Sequence, residues 1–513
     1  MHFYITTPIY YVNDRPHIGH AYTSVACDVL ARYKRLTGAK VKFLTGTDEH
    51  GQKVEKSAAK AGTTPKALAD SNSQFFRDIT PLLNLSNDDF IRTTEPRHIA
   101  SAQALWQRMQ QNGHIYEGKY AGWYAVRDEA YYAESELVEG KAPTGAEVEW
   151  VEEPSYFFNL SKWQEPLLAY YAAHPDFIRP QSRYNEIISF VKGGLKDLSI
   201  SRTTFSWGIP VPGDSKHIMY VWLDALANYL SALGFPSEEG EMKHFWPADL
   251  HMVGKDIVRF HAVYWPAFLM AAGLPLPKRI FAHGWWTIEG EKMSKSLGNV
   301  VAPQALVSEF GLDQTRYFLM REVPFGNDGN FSRERMVTVI NSELANTIGN
   351  LVQRTLSMVQ KNCAGLVPDA GGVARDELDL GFLEKVYVTR PETPSLVEEA
   401  YLDCRFHEIA ADIVAIAAEA NLYIDQKAPW KQKKTDERLM NATLYHLLEA
   451  IRCIAIMLQP FMPDAADKIL NQLAVSPSER GFDRLSEQHA LKAGQPLPAP
   501  EPVFPRIQTE AAA

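Results

Sequence analysis

Two histidines three residues apart around a glycine, in "TPIYYVNDRPHIGHAYTS", are the first residues of this chain whose types and spacing could do chemistry. His17 and His20 could join a metal, hydrogen-bond a phosphate, or pack in a core. A metal site needs more protein ligands, and none stands close by in the sequence. The setting favours a phosphate, because the pair lies between a β-type run and a helical run. In an open α/β sheet that is where helix N-termini offer free N–H groups and a positive dipole end, and Gly19 lets a ligand approach the backbone. Far downstream, "EKMSKSLGN" places Lys292 and Lys295 among small residues. Such a loop supplies mobile positive charge for a polyphosphate, although alone it reads equally as a solvated basic loop.

Other candidates sit on faces or strand ends. Trp222, Ala225, Leu226 and Tyr229 follow i, i+3, i+4, i+7, and Ile257, Phe260, His261 and Trp265 follow i, i+3, i+4, i+8. Each set lies on one helical face, which core packing alone would explain. His261 departs from that reading, since a buried imidazole on an aromatic face needs a partner. Asp48, in "TGTDEHG", ends a strand where a carboxylate could meet an ammonium group, or could serve as a turn or cap aspartate. Gly254 and Asp256 in "VGKD" read locally as a helix-start turn. Asn346, Asn350 and Arg354 recur every four residues, and "APWKQKK" sets Pro429 and Trp430 beside Lys431, Lys433 and Lys434. Stacking, edge hydrogen bonds and lysines on phosphates are how single-stranded RNA is read. A polar helix face and a core tryptophan are the plainer alternative.

The elements that would position these residues begin with a βαβ unit: "FYITT" as a strand, a helix over 18–36 stopped by Gly38, then "KVKFLTG" as a strand. Val25, Val29, Tyr33 and Leu36 form one helical face suited to a sheet. From Tyr116 to about Lys216 short aromatic segments with Gly and Pro predict an insertion rich in β structure. Alternation of helix and strand returns with "HIMYVWLDALANYLSAL". After about residue 330 the chain reads as helical. The expected fold is a doubly wound parallel α/β sheet (residues 1–115 and 217–291) split by an insertion (116–216). A loop region (292–335), a helical bundle (336–490) and a Pro-rich tail (491–513) follow, with "VFPRI" expected to fold back.

With 513 residues, 46% hydrophobic and 22% charged, the composition is that of a globular protein of several domains. No apolar run reaches membrane-spanning length and the N-terminus lacks a signal-peptide pattern, so the expected location is the cytoplasm. Cys27, Cys363, Cys404 and Cys453 form no C-x-x-C pair, against both a disulfide framework and a cysteine zinc site. At a net charge of −10, any polyanion must be held by local patches.

"HIGH" at 17–20 and "KMSKS" at 292–296, in that order on either side of an insertion, are the two signatures of class I aminoacyl-tRNA synthetases, which this chain resembles. The resemblance extends to the methionyl-tRNA synthetases through "FLTGTDEHGQK", "SRTTFSWGIPVP", "YVWLDALANY", "VGKDIVRFHAVYWPAFL", "HGWWTIEGEKMSKSLGN" and "QKAPWK". It implies that methionine is activated with ATP and Mg²⁺ and then transferred to tRNA(Met). By the same resemblance Ile9 and Tyr11 join the two aromatic faces around the methionine side chain, with Asp48 on its ammonium group. Gly254 and Asp256 hold the ribose, and His17, Gly19 and His20 the phosphates. Lys295 acts chiefly on the pyrophosphate, and Lys292 on loop and phosphate. Asn346, Asn350, Arg354, Pro429 and Trp430 match the family's anticodon-reading positions. Leu226 stands where some relatives have proline.

Many relatives carry a zinc knuckle in the insertion, but here its ligand positions fall on Ala125, Asp128, Ala142 and Gly145. One carboxylate cannot close a tetrahedral site. No structural zinc is expected, and packing around Tyr124, Tyr131, Tyr132 and Trp150 should hold the segment. The insertion is also too short for a large editing domain, which disfavours the isoleucine, valine and leucine branches. A monomer is expected, because the further C-terminal domain of some relatives does not follow. Another adenylyl-transferring enzyme and a non-catalytic RNA-binding relative are the rival readings; amino-acid-dependent exchange of pyrophosphate into ATP separates them.

Overall fold

Residues 1–13, 15–288, 290–292, 300–387 and 393–508 are described in a computed structural model. Seven parallel strands form the central sheet: β1 (His2–Thr6), β2 (Tyr10–Tyr11), β3 (Lys40–Asp48), β4 (Asp89–Arg92), β5 (Ile178–Arg179), β6 (Leu250–Gly254) and β7 (Ile280–His283). Their order is β2-β3-β1-β6-β7-β5, with β4 also paired to β3. Sequences such as "HFYIT" and "LHMVG" are nearly continuous apolar runs because both faces of a parallel sheet are covered. The order in which strands are added reverses at β1: β3 lies on one side of it and β6 on the other, where Ile5 pairs with Leu250 and Thr6 with His251. That reversal opens a crevice at the carboxyl ends of the strands, the place where open α/β sheets bind ligands.

The helix α1 (Ile18–Leu36) has the bounds that its periodicity predicts, and Gly38 beyond it takes a left-handed φ of 88°. Its burial is wider than one face. Tyr22, Ala26, Asp28 and Ala31 are buried together with Val25, Val29 and Tyr33, because the helical half covers the side away from the sheet. Tyr33 stacks on Tyr401 at 3.7 Å between ring centroids.

The insertion opens with a long antiparallel pair, Ile115–Ala125 with Glu149–Phe158. Beyond residue 158 it departs from the expected β texture. Helices Gln164–Ala173 and Gln181–Lys192 flank β5, which returns to the edge of the central sheet beside β7. A strand of two residues leaves almost no periodic trace in a sequence.

Beyond Arg333 the regular elements of the described residues are helices, among them Arg333–Val339, a π-helical stretch Ile340–Gly349, Asn350–Asn362, Phe406–Lys427 and Glu437–Leu458. The last is long and apolar enough to cross a membrane, but 83% of its apolar window is buried within the protein, as in a core helix. The tail folds back on this half: Phe504 is buried, and Ile507 exchanges two hydrogen bonds with the Asn341 amide, 2.9 and 3.0 Å.

Candidate active site

A cleft of about 620 Å³ opens at the carboxyl ends of the central strands. His17 and His20 stand at its edge, and the N-terminus of α1 determines how they are held. The Gly19 N–H donates to His17 Nδ1 and the His17 N–H to His20 Nδ1, both at 3.0 Å. The two rings therefore cap the first turn reciprocally. With each Nδ1 occupied as an acceptor, each neutral ring carries its proton on Nε2, which makes Nε2 a donor. Burial and the neighbouring His17 hold the His20 pKa well below the usual histidine range, so it acts as a neutral hydrogen-bond donor at pH 7. Gly19 has a second reason beyond ligand approach, since a Cβ there would lie 2.9 Å from the His17 ring.

Ile9, Tyr11, Trp222, Ala225, Leu226, Tyr229, Ile257, Phe260 and His261 all line the same cleft. Trp222 and Phe260 stack face to face at 3.8 Å and 6°. His261 Nδ1 lies 3.0 Å from the Ile257 carbonyl oxygen, which can only accept, so Nδ1 holds the proton and Nε2 accepts the Tyr229 hydroxyl at 2.7 Å. Burial lowers the His261 pKa to about 4, which keeps that tautomer neutral. Trp265, grouped with this face by its spacing, does not line the cleft. It is fully buried behind Tyr229 and donates to His251 Nε2 at 3.3 Å. The cause is the π-helical turn Phe260–Tyr264, which widens the helix and rotates Trp265 off the face that a 3.6-residue period assigns to it.

Asp48 closes β3 at the base of the pocket with one carboxylate oxygen buried and without a hydrogen-bond partner. Burial, with the Asp224 and Glu129 carboxylates near it, pushes its pKa well above the usual carboxylate range. A buried carboxylate so placed favours an incoming cation such as an ammonium group.

Glu129 is a cleft residue that the sequence did not disclose. It reaches in from the insertion on a left-handed backbone, φ 49°. The Tyr11 hydroxyl lies 2.6 Å from Glu129 Oε1 and 2.9 Å from the His50 carbonyl oxygen. One hydroxyl hydrogen cannot serve both acceptors, and a proton on Glu129 resolves the conflict. In agreement, burial pushes the Glu129 pKa up to about 7. Gly51 leaves the room required, since a Cβ there would come within 2.5 Å of that carboxylate. His283, bonded to the Thr23 hydroxyl at 2.7 Å, also lines the cleft and carried no motif signal.

Gly254 and Asp256 line the far side, where Asp256 Oδ1 accepts from Trp285 Nε1 at 3.1 Å. A Cβ at residue 254 would lie 2.6 Å from that same carboxylate oxygen. Lys292 ends a short hairpin by pairing with Thr287. Lys295 falls outside the described residues. The chain on either side of it reaches the cleft, since Trp286 and Val300 both line it and the Ile18 N–H donates to the Val301 carbonyl at 2.9 Å.

At the knuckle positions Ala125 and Ala142 form a small apolar cluster with Ala146, against Tyr132 and Val148. Asp128 accepts hydrogen bonds from the Thr144 and Tyr132 hydroxyls. Tyr124 and Tyr131 pack as expected, their ring centroids 5.0 Å apart, while Trp150 is more than half exposed and meets Trp123 edge-on. Among the described residues no three His, Cys, Asp or Glu side chains gather to hold a metal ion.

On the helical half, Asn346 and Asn350 are exposed and Arg354 lies over the Trp430 ring at 5.2 Å while pairing with Asp425 at 2.8 Å. Trp430 is 45% exposed. Pro429 is buried beneath it as the first residue of the helix Pro429–Thr435.

A family model described as tRNA synthetases class I (M) matches residues 3–149 and 136–356, and one described as the anticodon binding domain of methionyl tRNA ligase matches 392–513. The chain is 59% identical over 512 residues to a methionine–tRNA ligase of Rickettsia felis, covering 99% of this chain and 98% of the relative. It is 53% identical over 509 residues to that of Mesorhizobium japonicum, covering 98% and 97%. Among solved structures, Mycobacterium tuberculosis methionyl-tRNA synthetase in complex with methionyl-adenylate gives a TM-score of 0.95 at 49% identity, over 98% of this chain and 100% of that one. Its free-state form gives 0.88 at 46% identity, over 99% and 98%.

Proposed function

The chain belongs to the methionyl-tRNA synthetases of class I, and on that premise we propose how its residues share the two steps of the reaction. It activates methionine with ATP, giving methionyl-adenylate and pyrophosphate, and transfers the methionyl group to tRNA(Met). In the first step a methionine carboxylate oxygen bonds to the α-phosphorus while the bond to the pyrophosphate oxygen breaks. No protein nucleophile is needed, so the protein contributes position and electrostatics.

The Nε2–H groups of His17 and His20 donate to the triphosphate as neutral donors, and the α1 N-terminus adds its dipole. Positive charge for the leaving pyrophosphate comes from Lys295, with Lys292 beside it. Mg²⁺ would enter bound to ATP, neutralising phosphate charge without a dedicated protein cage. Asp48 fixes the ammonium group, and Gly254 with Asp256 take the ribose. The Trp222–Phe260 stack and Tyr229 enclose the thioether, which suits aromatic walls.

Asn346, Asn350, Arg354 and Trp430 read the anticodon, with Pro429 setting Trp430 in place. Residues 1–115 and 217–291 form the catalytic domain, to which the insertion 116–216 lends β5. The loop region 292–335 leads into the anticodon domain 336–490, and the tail is 491–513. The enzyme is read as a monomer of the cytoplasm; four cysteines spaced without a C-x-x-C pair suit a reducing compartment.

The observation that carries this reading is the buried, unpartnered Asp48 oxygen in a cleft that also holds the two capping imidazoles and the aromatic pocket. Exchange of pyrophosphate into ATP, measured across a panel of amino acids, tests it. Methionine alone should support exchange, and Asp48→Asn should raise the KM for methionine about a hundredfold, as expected for a lost charge-assisted pair. Exchange with another amino acid, or an unchanged KM in that variant, would contradict it.

A further inference from the structure

The tail crosses the helical half at the residues assigned above to the anticodon. Its register there is fixed at three points. Phe504 is buried beside Gly349, where an added Cβ would stand 3.4 Å from Phe504 Cβ. Asn341 grips the Ile507 peptide with both ends of its amide, donating to the carbonyl and accepting from the N–H. Between them, Arg506 Nε donates to Asn346 Oδ1 at 2.8 Å. Asn341 and Asn346 are five residues apart on the π-helical stretch Ile340–Gly349, whose wide turn brings residues at that spacing to one face.

A guanidinium has donors only, so the oxygen of the Asn346 amide must be the end that faces Arg506. The amide's N–H groups are then the end left for another partner. We propose that Arg506 is a positioning residue for tRNA recognition, turning Asn346 so that its Nδ2 donors meet an acceptor on the edge of an anticodon base. The tail is on this account part of the reading surface. The inference rests on the assignment of Asn346 to the anticodon made above.

Aminoacylation kinetics with tRNA(Met) test both, with methionine-dependent pyrophosphate exchange as the measure of the catalytic half. Arg506→Ala should raise the KM for tRNA about tenfold, as one lost polar contact would, and leave exchange at the wild-type rate. The double variant Arg506→Ala/Asn346→Ala should be no worse than Asn346→Ala alone. Arg506→Gln keeps a donor for Asn346 Oδ1 without the charge, and should charge tRNA within about threefold of wild type. Three results would overturn the inference while leaving anticodon reading intact: a wild-type KM in Arg506→Ala beside an impaired Asn346→Ala; losses that multiply in the double variant, which would mean that Arg506 meets the tRNA itself; or a Gln variant as poor as the Ala variant. An unimpaired Asn346→Ala would overturn the anticodon assignment and the inference together.

Discussion

Single side chains in this protein matter through which atom holds a proton. His17 and His20 present Nε2–H because backbone N–H groups occupy both Nδ1 atoms, and His261 accepts from Tyr229 because its own Nδ1 is committed to Ile257. Glu129 extends the pattern to a carboxyl group. Its pKa is raised from the ordinary 4.5 to about 7, so folding costs nothing extra while the group is protonated in both states. The penalty for burying its charge grows as the pH rises through that window and is complete above about pH 7. The Glu129→Gln variant, neutral throughout, should therefore gain stability over wild type between pH 5 and pH 8, on the order of 3 kcal/mol at most. Melting temperatures of the two proteins that run parallel across that range would show that Glu129 is ionised in the folded state. The identity of Glu129 was not legible in advance: "RDEAYY" carries no pattern, and its neighbours Tyr11 and His50 are more than 75 positions away in the chain.

Elements divide into those whose period survives folding and those whose period is altered by it. α1 was legible to the residue because a helix packed along its whole length keeps a 3.6-residue repeat. The same reasoning placed Trp222, Ala225, Leu226 and Tyr229 on one face, which in the structure lines the cleft, and called for a partner for His261, which it has in Tyr229. It misplaced Trp265 because a π turn adds a residue to the helical repeat, which no propensity announces. The insertion shows a different limit, since β5 owes its place to Ile280 and Phe281 on the neighbouring strand rather than to its own two residues. At the positions where the family resemblance would put zinc ligands, the segment holds the apolar cluster of Ala125, Ala142 and Ala146, and Asp128 with its hydroxyl partners. Dialysis against a chelator, followed by return of Mg²⁺, should leave the melting temperature and pyrophosphate exchange unchanged, and metal analysis should find zinc far below one per chain. Stoichiometric zinc, or a melting transition lowered by the chelator, would mean that other ligands replace the missing cysteines.

At the scale of the molecule the catalytic and helical halves share one continuous core, which runs from α1 through the helix Leu312–Arg321 to Glu437–Leu458. Arg316 is the buried charge at that junction. It donates to Asp28 of α1 at 2.7 Å and to the carbonyl oxygens of Leu83, Pro460 and Phe461. Removing it leaves a buried carboxylate held by Arg32 and by the Ser86 N–H and hydroxyl, and three carbonyls short of a donor. Arg316→Ala should destabilise the protein by about 3 kcal/mol, seen in denaturant melts, and a wild-type midpoint would show that the two halves do not depend on this contact. The larger consequence of the shared core is that α1 carries His17 and His20 to a crevice that Trp286 and Val300, which flank Lys295 in the chain, also line; the roles proposed for the imidazoles and for Lys292 and Lys295 require that they converge there on one triphosphate. Single-turnover formation of methionyl-adenylate, alongside methionine affinity from tryptophan fluorescence, tests that convergence most directly. In His20→Ala and in Lys295→Ala the rate should fall by about a hundredfold or more, with the methionine dissociation constant within about threefold of wild type. Rate and methionine affinity that fall together in either variant would contradict the account.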